Sequence, residues 1–147
     1  MKDIAPEHFM NLGDRPRVAA TMAKAVRLVY EARIYTATMC LITSYIDAIA
    51  GGDKVKYLKF LEDNFPQLCQ ELGGAVVFYE RFRNGMLHLN SPKLGFALIE
   101  EHEAEGRYVE DVRVGTMTMR GVNVDRMAKE FIALAQTLAG GSTPEGE

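Results

Sequence analysis

The residues best suited to chemistry lie in one stretch, Arg81-Phe82-Arg83-Asn84-Gly85-Met86-Leu87-His88-Leu89-Asn90-Ser91-Pro92, directly after an apolar run. His88 suits proton transfer because an imidazole titrates near neutral pH. Arg83 suits a phosphate, since its planar fork matches two oxygens at once. Asn84 could position a substrate or fix the His88 tautomer. Tyr79, four residues before Arg83, shares its helical face. The plain structural alternative pairs Arg83 with Glu80 and lets His88 cap the last carbonyls of a helix.

Spacing limits how the pair can work. Five residues of α-helix set Arg83 and His88 roughly 140° apart, so one straight helix cannot aim both at one substrate. Gly85 supplies the freedom for a break, and Ser91-Pro92 ends the element soon after. Otherwise a second copy meets this element across a two-fold axis and gathers two arginines and two histidines into one cleft.

Other chemistries are less well provided for. His102 stands among Glu100, Glu101, Glu103 and Glu105, on an expected strand end and turn, where a metal would need ligands brought from elsewhere. Cys40 and Cys69 have no neighbouring histidine or cation in sequence and read as core thiols. No glycine-rich phosphate loop, serine elbow or dinucleotide fingerprint is present. No metal or cofactor is therefore expected.

The elements that must position these groups follow from periodicity. Asp14 before Pro16 reads as a helix start, and Val18, Met22, Ala25 or Val26, Val29 and Tyr30 form an amphipathic stripe. The pattern runs on to Gly51-Gly52, as one long helix or as two with a break between Glu31 and Tyr35. From Tyr35 to Ala50 it is apolar nearly all round, which suits the middle of a bundle or a dimer seam. Thr43, Ser44 and Asp47 are the polar exceptions there. Asp47 and Ser44 are supporting site candidates, with Asp47 able to orient a catalytic side chain or simply to face solvent near the helix end.

Asp53 caps a further helix lined by Val55, Leu58, Leu61 and Phe65, with Lys54, Lys56 and Lys59 off that face. Pro66 opens a short helix to Leu72, and Gly73-Gly74 stops it. Ala75–Phe82 has β propensity but four-residue spacings, and is read as helix. Leu94–Glu100, Tyr108–Val114 and Thr116–Arg120 read as two or three antiparallel strands. Asn123 or Asp125 then caps a last helix with Met127, Phe131, Leu134, Ala135 and Leu138 inside.

The expected fold is thus mainly α. It is an antiparallel bundle of four to five helices, with a small antiparallel hairpin or three-stranded insert before the last helix. The chain reads as one domain: a loose lead-in at 1–13, the helical bundle with the motif at 14–92, the β insert at 94–120, the final helix at 124–139 and a disordered tail at 140–147. At 147 residues, 48% hydrophobic and 25% charged, the chain suits one full core. The absence of a signal-like start and of any apolar run near the roughly 20 residues a bilayer needs leads to the expectation of a soluble, cytoplasmic protein with no membrane partner.

The net charge is −3, which argues against indiscriminate nucleic-acid binding. The charges are nonetheless segregated. Arg15, Arg17, Lys24, Arg27 and Arg33 crowd an early segment and six acids a later one between Glu100 and Asp111, so one face could meet phosphates; two solvated faces are the alternative.

Arg83-Asn84-x-x-x-His88 resembles the signature of the HEPN superfamily. These are small helical proteins sharing an Arg and a His with four to six residues between them, and with a polar residue usually following the Arg. The similarity covers the bundle at about residues 17–92 and the last helix; the strands look like an embellishment. The resemblance implies a metal-independent endoribonuclease of toxin or defence type, acting on RNA as a homodimer and held in check by a nucleotidyltransferase-like antitoxin. Arg83, Asn84 and His88 would be its catalytic residues. A non-catalytic binding or scaffolding module with the same fold is the alternative.

Overall fold

The computed structural model describes residues 15–140. The expected lead-in at 1–13, the Asp14 cap and the tail beyond Gly140 lie outside the described residues. What is described is mainly helical, with a small three-stranded mixed sheet.

Helix α1, Arg15–Glu31, packs chiefly on the last helix, α8, Val124–Leu138, while α2, Tyr35–Ile49, packs on both. The early pattern is therefore two helices. The break is made without glycine: Arg33 takes the left-handed conformation at φ 62°, and the Arg33 and Ile34 amides return to the carbonyls of Tyr30 and Val29. This double closure is the usual helix-ending loop with arginine in the place that glycine normally fills.

On α2, Met39, Ile42 and Ile46 are fully buried. Buried Thr38 and Thr43 satisfy their hydroxyls on Ile34 and Met39 carbonyls one turn back, which removes most of the cost of burying them. The other side of α2 is open: Ala37, Cys40, Leu41 and Ser44 line a shallow groove of about 570 Å³ with Val29, Ile34 and Asn90.

Helix α3, Lys54–Asn64, is capped by Asp53, which accepts from the Lys56 amide, and α4 runs Pro66–Leu72. The motif-bearing segment then forms one continuous helical rod of three parts. These are α5, Ala75–Phe78, a π turn over Tyr79–Arg83, and α6, Asn84–Leu89. The aromatic residues fix it: Phe78 and Phe82 are fully buried and stacked at 5.5 Å, and Phe82 meets Phe96 edge-on at 5.5 Å. Burying each such ring contributes about 1.5–3 kcal/mol, enough to settle the local helix-or-strand ambiguity.

The insert differs from the expected antiparallel arrangement. Strand β1, Phe96–Ile99, runs parallel to β3, Met117–Asn123, while β2, Val109–Val114, pairs antiparallel with β3, so the order is β1-β3-β2 and the sheet is mixed. Short helix α7, Glu101–Ala104, turns the chain after β1 and leaves a gap into which β3 inserts. Residues 100–116 supply the length that a parallel return needs. Strand β3 also continues past Arg120 through Gly121, whose missing side chain is filled by Ile99: a Cβ there would lie 2.5 Å from its Cγ2.

Candidate functional site

Arg83 emerges from the π turn, in which the Asn84 amide reaches back five residues to the Tyr79 carbonyl. Its side chain points at α2. Nε and Nη2 donate to one oxygen of Asp47, Oδ2, at 3.1 and 2.6 Å, and Nη1 donates to Asn84 Oδ1 at 2.8 Å. The guanidinium also lies over the Tyr79 ring, 4.8 Å from its centre, and the ring is braced edge-on by buried Tyr57 at 5.1 Å. Side-chain exposure is 18% for Arg83 and 22% for Asp47. The ionic partner of Arg83 is therefore Asp47 on another helix, not Glu80 on its own.

This fourfold hold leaves two of the five guanidinium N–H groups without a partner among the described residues. Burial works against the Arg83 charge, but the Asp47 hydrogen bonds and charge outweigh it and raise its pKa above the ordinary arginine value. The same cluster pushes the Tyr57 phenol far up, through burial and the Asp47 charge, so Tyr57 acts as a neutral donor to the Thr43 carbonyl at 3.3 Å.

His88 belongs to a different face. It is exposed near the end of α6, between exposed Leu87 and Leu89, and its imidazole makes no hydrogen bond or ion pair with any described residue. The structure thus brings together Arg83, Asn84, Asp47 and Tyr79 and leaves His88 outside the group. Ser44 is also apart, half-buried on the open groove of α2.

Gly85 does not break the helix, as its expected role required; helical geometry continues from Arg83 and Asn84 into α6. The glycine is needed for close approach. The chain after α6 folds back, with the Lys93 amide bonding the Arg81 carbonyl at 2.9 Å, and a Cβ on Gly85 would collide with the Ser91 carbonyl oxygen and sit 2.9 Å from the Lys93 nitrogen. The actual stop is Asn90, in the left-handed conformation at φ 55°.

Two further clusters lie outside this group. Asp125 in the first turn of α8 accepts from the Tyr30 hydroxyl at 2.7 Å, the Glu101 amide at 2.7 Å and the Tyr35 hydroxyl at 3.4 Å, with Arg33 3.8 Å away. It ties the α1–α2 break and the start of α7 to the first turn of α8, while Asn123 is the residue that caps α8. The signal was a lone acid in a first helical turn, which reads equally well as a cap. Secondly, Glu100, His102 and Glu103 lie within 4.8 Å of one another, so local α7, not distant elements, gathers them. Both carboxylates already form the capping box of α7. Cys69 is buried in the core as expected, whereas Cys40 is half-buried on the open groove of α2; burial raises the pKa of both, that of Cys69 to about 11, away from nucleophilic use.

No family model, curated protein or solved structure matches the chain. Among the described residues no helix is long and apolar enough to cross a membrane.

Proposed function

We propose that the protein is a HEPN-like, metal-independent endoribonuclease of toxin or defence type, acting in the cytoplasm as a homodimer. Its scaffold is an antiparallel helical bundle, and its composite site lies where two copies meet. One observation carries this reading: Arg83 is rigidly held with donors to spare, while His88, on the same rod, is exposed and has no partner among the described residues. A histidine serving the fold is ordinarily buried or bonded.

The chemistry needs no metal. One His88 accepts the proton of an RNA 2′-hydroxyl as its oxygen attacks the adjacent phosphorus. The second copy's His88, as imidazolium, protonates the departing 5′-oxygen, leaving a 2′,3′-cyclic phosphate and a 5′-hydroxyl. The free N–H groups of Arg83 face the charge that grows on the phosphorane, while Asp47, Asn84 and Tyr79 keep the guanidinium in place. The open apolar groove on α2 and exposed Leu87 and Leu89 beside His88 supply surface that a second copy would cover. A nucleotidyltransferase-like antitoxin is the partner this class implies.

A non-catalytic scaffolding module is favoured by one point, the neutralisation of Arg83 by Asp47. Incubation with mixed RNA in EDTA decides between them. Cleavage that survives chelation and is lost in His88→Ala supports the ribonuclease; equal inertness of both proteins on every RNA tried supports the scaffold.

A further inference from the structure

We infer that Lys54, Tyr79 and Arg83 form a docking position for the sugar-phosphate backbone of single-stranded RNA, which extends the proposed site toward the start of α3. This rests on the ribonuclease function above and names the group recognised and a residue, Lys54, not among its catalytic candidates.

Lys54 Nζ lies 5.2 Å from the centre of the Tyr79 ring and the Arg83 guanidinium 4.8 Å from the same centre. The two cations therefore stand no more than about 10 Å apart, a gap that one phosphate or two consecutive phosphates can bridge. An aromatic ring attracts each cation through its electron-rich face, and buried Tyr57 holds that ring edge-on. The ring is thus a fixed mount for a charge pair.

The charges around it are unbalanced. Asp47 offsets Arg83, but among the described residues no carboxylate pairs with Lys54 or Lys56, whereas Lys59 further along α3 is paired with Asp63 at 3.0 Å. Lys54 and Lys56 occupy the first turn of α3, where the aligned peptide dipoles disfavour cations; the adjacent acid, Asp53, directs its carboxylate to the Lys56 amide and pairs with neither ammonium. On a chain of net charge −3 this is a local surplus of positive charge that a bound anion would relieve. The recognising groups are a flexible ammonium and the spare N–H groups of a fixed guanidinium. Both suit phosphate oxygens and neither reads a base edge, so the docking is tolerant of sequence.

The test uses the full-length wild-type chain and a short, labelled single-stranded RNA with every 2′-hydroxyl methylated, so that it cannot be cleaved. Binding is followed by fluorescence anisotropy across a salt series. Lys54→Ala is expected to weaken binding about three- to tenfold and to lower the salt slope by about 0.7, the loss of one phosphate contact on a single strand. Lys54→Arg should retain affinity, and Lys129→Ala, at an exposed position of α8, should match wild type. Equal affinity and slope for wild type and Lys54→Ala would overturn the inference, as would failure of the wild type to bind. Cleavage of unmethylated RNA in EDTA, run alongside, separates the outcomes: a wild type that cleaves but shows no Lys54 effect refutes only the docking position, and one that neither cleaves nor binds refutes the ribonuclease as well.

Discussion

Arg83 and Asp47, 36 positions apart in sequence, share a single carboxylate oxygen through two guanidinium nitrogens at 3.1 and 2.6 Å. This pair ties the motif-bearing rod to α2. Both groups are mostly shielded from water, so removing one leaves the other charged and poorly solvated. Asp47→Ala is expected to lower stability by about 2 kcal/mol. The double variant with Arg83→Met should recover part of that loss, because the orphaned charge is removed as well. Urea denaturation of the four proteins of the cycle measures it; additive losses would show that the pair carries no coupling.

His88 gives the opposite expectation. Exposed and without a partner among the described residues, it can be replaced by alanine with a stability change within about 0.5 kcal/mol. If the proposed function holds, the same substitution abolishes cleavage of RNA. Thermal melting and the EDTA assay on one preparation check both halves together, and a strongly destabilised His88→Ala would assign the residue to the fold.

Gly85→Ala should destabilise despite alanine's advantage of about 1 kcal/mol in a helix interior. The added carbon has nowhere to go, since the Ser91 carbonyl oxygen, the Lys93 nitrogen and the Pro92 carbonyl carbon all crowd the position. A net loss of about 2 kcal/mol is expected, measured as a lowered urea midpoint with unchanged slope. A variant as stable as wild type would mean that the returning chain moves aside at little cost.

Asp125 predicts an acid-sensitive clamp. Burial alone would raise its pKa, but the Tyr30 hydroxyl, the Glu101 amide, the Tyr35 hydroxyl and the Arg33 charge together bring it below the ordinary 3.8. A carboxyl lowered on folding contributes stability that is fully present above the unfolded value and is lost as pH falls through the folded one. Stability should therefore drop below about pH 3.8, and Asp125→Asn should be less stable at neutral pH but flatter through that acid range. Denaturation midpoints taken at a series of pH values test it.

The helical elements were legible because their signals are local. Pro66 and Gly73 bounded α4, Asp53 announced its cap, and the stripe of Met127, Phe131 and Ala135 marked the buried side of α8, while the cap of α8 was open between Asn123 and Asp125. The α1–α2 break was harder to see because Arg33, not glycine, holds the left-handed position, steadied by the Tyr35 hydroxyl at 2.9 Å. Strand order was not local at all: β1 and β2 never pair, and only the insertion of β3 between them makes the sheet mixed.

For the candidate site, the sequence by itself determined which side chains can do chemistry and that Arg83 and His88 would diverge on an unbroken helix, since helix geometry depends only on their spacing. It could not determine what each one touches. Only the tertiary structure decided that Arg83 turns inward to Asp47 and Tyr79, that Lys54 reaches the same ring from a separate helix, and that His88 stays in solvent. Those relationships join residues far apart along the chain, and they are fixed by how the rod of Phe78 and Phe82 packs into the core.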